Sequence, residues 1–296
     1  MSDKRPIPER VAAIHDLSCF GRCALTVIMP TLSALGAQVV PMPTALLSSH
    51  TGGFTDLYFR DLSGDMDEIA AHFDRLRLDF GAIYSGFLGS EAQIEKVERF
   101  IDRFGGEGRP VLVDPVMGDD GELYSTYTPE LAEGMKRLCH KATILTPNHT
   151  EACLLTGIPY ESTANMSADE VVALGKRLLE ALAVYGAEQV VITGLPCGEE
   201  LFIFGSSREG GFCHREPLLH IGYPGTGDLF ASVLLGLLLD GNGFENAVIG
   251  AAELTTIAIE KTLATDSPVR DGVVLEHCMY ELFSLKTNLK RLQYKR

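Results

Sequence analysis

Val111-Leu112-Val113-Asp114-Pro115-Val116-Met117-Gly118 begins with three aliphatic residues in succession and stops at an acid and a proline. A strand that alternates apolar and polar side chains has one wet face. A short unbroken apolar strand has both faces buried, the condition of a parallel sheet covered by helices. Similar runs recur at Val11-Ala12-Ala13-Ile14, Val39-Val40, Ala82-Ile83-Tyr84, Thr143-Ile144-Leu145 and Val190-Val191-Ile192, with longer helical patterns between them. Several helix starts are legible as well. Ser90-Glu91-Ala92-Gln93, Asn148-His149-Thr150-Glu151 and Ser167-Ala168-Asp169-Glu170 fit a capping box, and Thr128-Pro129 sets a cap residue before a first-turn proline. The fold class is therefore α/β with a parallel sheet.

Two regions break the rhythm. Pro41 to Gly64, with two prolines and Ser48-Ser49-His50-Thr51-Gly52-Gly53, reads as a flap or short hairpin near the sheet edge. Gly194 to Gly222 holds Leu201-Phe202-Ile203-Phe204 and a polar turn at Gly205 to Gly211, which predicts an antiparallel hairpin. Three helix-like stretches follow, Gly227 to Asp240, Phe244 to Leu263 and about Val269 to Leu285. With no repeat and no linker, residues 1–296 are expected to form one domain. The end, Leu285 to Arg296, carries five basic side chains and no acid, and is expected to be a solvated helix terminus.

Composition narrows the function. The chain has 296 residues, 46% hydrophobic, with 25 basic and 40 acidic side chains and a formal net charge of −15. Nucleic-acid binding needs an excess of Lys and Arg, so nucleic acid is not an expected partner. Leu229 to Leu239, the longest apolar stretch, is far shorter than the roughly 20 residues that span a bilayer, and no apolar leader follows Met1, so a cytoplasmic protein is expected. Seven scattered cysteines without a Cys-x-x-Cys pair read as reduced thiols; Cys19 and Cys23, spaced i, i+4, are placed to share a helix face.

Ligands of open parallel sheets sit beyond the carboxyl ends of the strands, so polar residues after each apolar run are the first candidates. Tyr223-Pro224-Gly225-Thr226-Gly227-Asp228-Leu229-Phe230 is a glycine-rich turn leading into a long apolar helix, a cradle of backbone N–H groups suited to phosphate. It is neither a Walker loop nor the dinucleotide Gly-x-Gly-x-x-Gly turn. Asp228 beside it is either a general base for an attacking alcohol or an ordinary acid in a helix first turn. Asp114, Asn148 and Glu151 suit Mg²⁺, which favours a carboxylate or two plus substrate phosphates; Asn148 and Glu151 equally suit a plain capping box. Ile14-His15-Asp16 and His50-Thr51 are polar groups placed to hold a small substrate, or to stabilise loops.

In this order the motifs resemble the ribokinase-like superfamily and, within it, the vitamin B6 branch, the pyridoxal (pyridoxine, pyridoxamine) kinases. The resemblance covers nearly the whole chain and rests on Ser85-Gly86-Phe87-Leu88-Gly89-Ser90, Asp114-Pro115-Val116-Met117-Gly118, Thr146-Pro147-Asn148 with Glu151, and Gly225-Thr226-Gly227-Asp228. It implies a three-layer α/β/α sandwich with a small flap, a homodimer, and ATP-dependent phosphorylation of the 5′-hydroxymethyl group of a B6 vitamer. Asp228 then matches the base and Gly225, Thr226 and Gly227 the anion hole. Asp114, Thr146, Asn148, Glu151 and Thr193 match the ATP side, with Asp114 and Glu151 organising Mg²⁺ partly through water and a monovalent cation as a further possible requirement. Asp16, His50, Thr51 and Phe87 match the acceptor side.

The chain departs from the family at Asp16, where Ser is common, at Phe87, often Tyr, and at Thr193, where some members carry Lys. An acid at position 16 is able to pair with the pyridine nitrogen or with the amine of pyridoxamine, which bears on vitamer preference. The rival chemistry is a hydroxymethylpyrimidine or hydroxymethylpyrimidine-phosphate kinase, whose usual Gly-Gly-Ala-Gly opening is replaced here by Ser18-Cys19-Phe20-Gly21-Arg22-Cys23. A non-catalytic vitamer-binding protein is a third reading, but it has no use for Asp228, Asp114 and Glu151 together. Without its basic end the body, residues 1–284, has 20 basic and 40 acidic side chains, so binding an anion such as ATP must depend on a bound cation and backbone amides.

Overall fold

A computed structural model describes residues 7–285. The first half runs β1 (Arg10–Ser18), α1 (Leu25–Ala34), β2 (Gln38–Leu47), β3 (Phe59–Asp61), α2 (Ser63–Arg75), β4 (Ala82–Ser85), α3 (Glu91–Phe104) and β5 (Val111–Val113). A small hairpin, β6 (Gly118–Asp119) and β7 (Glu122–Leu123), precedes α4 (Pro129–Cys139), β8 (Ile144–Leu145), α5 (His149–Thr156) and α6 (Ala168–Leu182). Then come β9 (Gln189–Cys197), β10 (Glu200–Ser207), β11 (Gly210–Pro217), α7 (Thr226–Leu239) and α8 (Phe244–Leu263).

Nine strands form one sheet in the order β11-β10-β9-β8-β5-β4-β1-β2-β3. The six from β9 to β2 are parallel, and β3, β10 and β11 are antiparallel additions at the edges. The apolar strands are buried on both sides, as their composition requires. Ala12, Ile14, Ile83, Val111, Val113 and Leu145 face one core, completed by Ile94, Leu131 and Leu174 from α3, α4 and α6. Val11, Ala13, Tyr84, Leu112 and Ile144 face the other, completed by α1, α7 and α8. This is the three-layer α/β/α architecture. Residues Leu229 to Leu237 of α7 are all buried, which accounts for the most apolar stretch of the chain as an interior helix.

The helix starts follow the sequence with one exception. Asn148–Glu151 and Ser167–Glu170 are reciprocal capping boxes, and the Thr128 side chain caps α4. Ser90 caps α3, but the Gln93 side chain leaves the box, its Oε1 accepting from Gly89 N and its Nε2 donating to Thr44 O.

Elsewhere the structure corrects local expectations. Pro41 and Pro43 lie inside β2 rather than in a flap. β3 pairs only with Ala45–Leu47, so the earlier part of β2 is an open edge where a missing N–H costs nothing. The irregular loop between β2 and β3 is thus shorter than the Pro41 to Gly64 segment. The hairpin expected between Gly194 and Gly222 is a three-stranded meander that includes β9, and its second turn is confined to Arg208-Glu209. The expected helix from Val269 is two 3₁₀ turns, Val269–Asp271 and Leu275–Cys278, separated by Gly272 at φ 83°, and becomes α-helical only at residues 279–285. Cys19 and Cys23 lie in the β1–α1 loop, not on a helix face. Of the basic segment Leu285 to Arg296, all beyond Leu285 is outside the described residues. Among the described residues no helix is long and apolar enough to cross a membrane.

Candidate active site

The parallel strands end along one rim, and the amino terminus of α7 meets them there. The rim encloses a cavity of about 680 Å³ lined by every residue singled out in the sequence: Asp16, His50, Thr51, Phe87, Asp114, Thr146, Asn148, Glu151, Thr193, Gly225, Thr226, Gly227 and Asp228. Five carboxylates line it, those of Asp16, Asp114, Asp119, Glu151 and Asp228, and no described lysine or arginine does.

At one end is the α7 turn. Gly225 is the N-cap residue with φ 86°, and a β-carbon there would stand 2.2 Å from the Arg22 carbonyl oxygen, so only glycine fits. The helix has no side-chain cap. Thr226 N donates to Tyr223 O at 3.4 Å, while the first-turn N–H groups of Gly227 and Asp228 lack intrahelical acceptors at the positive end of the dipole. Asp228 belongs to that turn but does not cap it. Its Oδ2 accepts a hydrogen bond from Ala24 N at 2.7 Å, which ties the carboxylate to the β1–α1 loop. Burial raises its pKa to about 6, the Ala24 N–H opposing the shift and Asp16 adding to it.

Asp114 follows β5. Burial, reinforced by the charge of Asp228, pushes its pKa to about 7. Glu151 lies deeper, and burial together with Asp114 holds its carboxyl well above the ordinary range. The capping box allowed by the spacing is present: Glu151 Oε2 accepts from Asn148 N at 2.8 Å and Asn148 Oδ1 accepts from Glu151 N at 2.8 Å. Glu151 Oε1 also accepts from Met117 N at 3.1 Å, and Asn148 Nδ2 donates to Gly118 O at 2.9 Å. Both oxygens of Glu151 are thus engaged by backbone. The buried Thr146 hydroxyl lies beside Asp114 and favours its charged form. Thr193 sits where the β9–β10 register shifts, and its N–H donates to Pro147 O at 3.0 Å.

This end fits Mg²⁺ as the cation of a nucleotide phosphate. Crowded carboxylates disfavour one another's charged forms and a cation relieves that. It does not fit a closed protein cage, since among the described residues no three His, Cys, Asp or Glu side chains converge on one point.

Asp16 and the β2–β3 loop form another part of the wall. Ser18 Oγ donates to Asp16 Oδ2 at 2.9 Å. His50 Nε2 lies 2.7 Å from the Arg270 carbonyl and must donate to it, so its Nδ1, which accepts from Gly52 N at 3.1 Å, carries no proton. Phe87 packs against Tyr127 with ring centroids 6.1 Å apart. Cys23 also lines this part, and burial beside Asp228 and Asp16 pushes its thiol up, away from thiolate chemistry.

Sequence reasoning missed Cys23, Asp119 and Tyr124 as wall residues. The signal for Asp119 was present: Asp120-Gly121 is an Asp-Gly turn of type I′, with φ 50° and 84°, between β6 and β7. Nothing local marks Cys23.

Comparison with known proteins places this geometry in context. The profile of the phosphomethylpyrimidine kinase family matches residues 28–270. A pyridoxine/pyridoxal/pyridoxamine kinase of Bordetella avium is 32% identical over 280 residues, covering 89% of this chain and 88% of that one. A Bacteroides thetaiotaomicron chain assigned as a phosphomethylpyrimidine kinase and crystallised with pyridoxal superposes with a TM-score of 0.86 at 36% identity, covering 93% and 96% of the two chains. The crystal structure of pyridoxal kinase from Lactobacillus plantarum gives a TM-score of 0.84 at 29% identity, covering 95% and 98%.

Proposed function

Since the chain belongs to the phosphomethylpyrimidine kinase family, on the ribokinase-like fold it shares with the pyridoxal kinases, we propose that this kinase transfers the γ-phosphoryl group of ATP to the 5′-hydroxymethyl group of pyridoxal, pyridoxine or pyridoxamine. The observation that carries the reading is the position of Asp228: a half-buried carboxylate with its pKa raised to about 6, at the uncapped amino end of α7 and in the wall of the cavity. The B6 acceptor is supported by the relative crystallised with pyridoxal.

The acceptor hydroxyl lies against Asp228, and its proton passes to the free Asp228 oxygen as its own oxygen bonds to the γ-phosphorus. The bond between that phosphorus and the β–γ bridging oxygen breaks, and ADP departs. The N–H groups of the first turn of α7, opened by Gly225 and Gly227, hold the equatorial oxygens of the migrating group, where preorganised dipoles act most strongly. Asp114 and, through water, Glu151 would hold Mg²⁺, which supplies charge neutralisation of the phosphates. Thr146, Asn148 and Thr193 bound the nucleotide end, and His50, Thr51 and Phe87 the acceptor end. A cytoplasmic homodimer of single-domain subunits, with a monovalent cation as a further requirement, completes the proposal.

The family's name makes phosphorylation of a hydroxymethylpyrimidine or its phosphate the second reading. Parallel assays of the purified protein with Mg-ATP and pyridoxal, pyridoxine, pyridoxamine or hydroxymethylpyrimidine decide between them. Formation of a B6 5′-phosphate is expected; phosphorylation of the pyrimidine alone would overturn the B6 assignment.

A further inference from the structure

Asp228 has two carboxylate oxygens, and taking a proton uses one of them. The other, Oδ2, accepts the Ala24 N–H at 2.7 Å. That N–H is aimed by an unusual backbone. Ala24 lies at φ 48° and ψ −134°, a region that residues with a β-carbon rarely adopt, and it is buried. Such a conformation persists only where its surroundings over-determine it.

Here one side chain does most of the holding. Thr26, in the first turn of α1, donates from Oγ1 to Cys23 O at 2.7 Å and to Gly21 O at 3.3 Å, and the same oxygen accepts from Cys23 N at 3.2 Å. Thr26 N adds a second hydrogen bond to Cys23 O at 3.2 Å. A trans peptide group is planar, and its carbonyl and the following N–H point in opposite directions. Fixing the Cys23 carbonyl on Thr26 therefore fixes the Ala24 N–H on Asp228. The next peptide is held as well, since Ala24 O accepts from Val27 N and Ile28 N, each at 3.0 Å. Cys23, Ala24 and Asp228 line the cavity, and Thr26 stands behind them.

A threonine that bonds the turn before its helix is a common stabilising device, and on that ground alone its loss would cost stability and nothing else. What sets Thr26 apart is the far end of the peptide it holds. We propose that Thr26 is a positioning residue for phosphoryl transfer: through the Cys23–Ala24 peptide it anchors Asp228 Oδ2, so that Oδ1 meets the acceptor hydroxyl. The inference rests on the reading of Asp228 as proton acceptor and holds for a pyridine or a pyrimidine substrate alike. A carboxylate with one oxygen anchored cannot swing about its Cβ–Cγ bond, and a misplacement of about 1 Å at a reacting centre can cost about a hundredfold in rate.

The test measures kcat and both KM values for wild type, Thr26→Val and Thr26→Ser, each also combined with Asp228→Asn, on the acceptor that the wild type phosphorylates best. Valine has the shape of threonine without the hydroxyl, and serine keeps the hydroxyl. Thr26→Val should lower kcat about ten- to a hundredfold with both KM values within about threefold of wild type, and Thr26→Ser should recover most of that loss. Combined with Asp228→Asn, Thr26→Val should cost less than about threefold more, because a residue that acts through Asp228 then has no base left to position. An equal loss in both backgrounds, or a folded Thr26→Val enzyme with kcat within about threefold of wild type, would overturn the proposal. A second variant reaches the same N–H without touching Thr26. The α-hydroxy analogue of alanine, incorporated at position 24, exchanges the N–H for an ester oxygen and should lower kcat to a similar extent; an unchanged kcat there would overturn the proposal even if Thr26→Val did not fold. If Asp228→Asn alone kept turnover within about tenfold of wild type, the assignment of the base would fail and this inference with it.

Discussion

Replacing Asp228 by asparagine separates its role in turnover from its cost to the fold. An amide oxygen accepts the Ala24 N–H as the carboxylate does at 2.7 Å, so Asp228→Asn keeps the link between α7 and the β1–α1 loop and removes only the proton acceptor. A positioned general base contributes roughly 10²- to 10⁴-fold, so kcat should fall by about that factor, with ATP binding retained. Because burial holds the pKa near 6, wild-type kcat/KM should fall about tenfold for each pH unit below 6, and the residual activity of the variant should show no such step. Stability should move the other way. A carboxyl whose folded pKa is raised from 3.8 to about 6 favours the folded state only while protonated; that contribution is full below pH 3.8 and lost as the pH rises through 6. The displacement is about two pH units, or about 3 kcal/mol. Urea unfolding of the ligand-free protein should therefore find Asp228→Asn more stable than wild type by up to about 3 kcal/mol at pH 8, with the difference vanishing near pH 4. Turnover within tenfold of wild type would remove Asp228 as the base, and a variant less stable than wild type at pH 8 would refute the burial argument.

Three further outcomes are expected. Chelation of divalent metal should weaken ATP binding at least about tenfold, as measured by calorimetry, because the nucleotide end offers carboxylates and no protein cation; equal affinity with and without Mg²⁺ would contradict the roles given to Asp114 and Glu151. Gly225→Ala must place a β-carbon 2.2 Å from Arg22 O at φ 86°, so it should cost about 1–3 kcal/mol in chemical denaturation and lower kcat by displacing the α7 turn. Ser167→Ala, which removes an exposed capping box on α6 away from the cavity, should cost about 1 kcal/mol while kcat and KM stay as in wild type.

Much of this architecture is readable residue by residue. The two-sided burial of Val111-Leu112-Val113, the capping boxes at Asn148–Glu151 and Ser167–Glu170 and the glycine-aspartate turn depend on neighbours within a few positions, and each formed where it was expected. What the spacing left open was whether Glu151 caps a helix or faces a ligand, and it does the first while lining the cavity for the second. The errors fell where tertiary neighbours outweigh local preference. Prolines in β2 are tolerated because that edge is unpaired, and the segment after Pro268 is interrupted because Gly272 packs against the Arg22 backbone.

The sequence alone determined the kind of sheet, the buried helix α7 and the residue types at each strand end, since a backbone pattern of period two or 3.6 is a local property. Its acidic balance pointed to a cation dependence without saying where the cation belongs. Which acids share one cavity only the tertiary structure decided, because the strand order β9-β8-β5-β4-β1-β2 brings together ends separated by up to about two hundred residues. That convergence sets Asp228 against Ala24 and crowds five carboxylates into one cavity with no described Lys or Arg. Charge in a folded protein acts through distance and burial, and neither is a property of position in the chain.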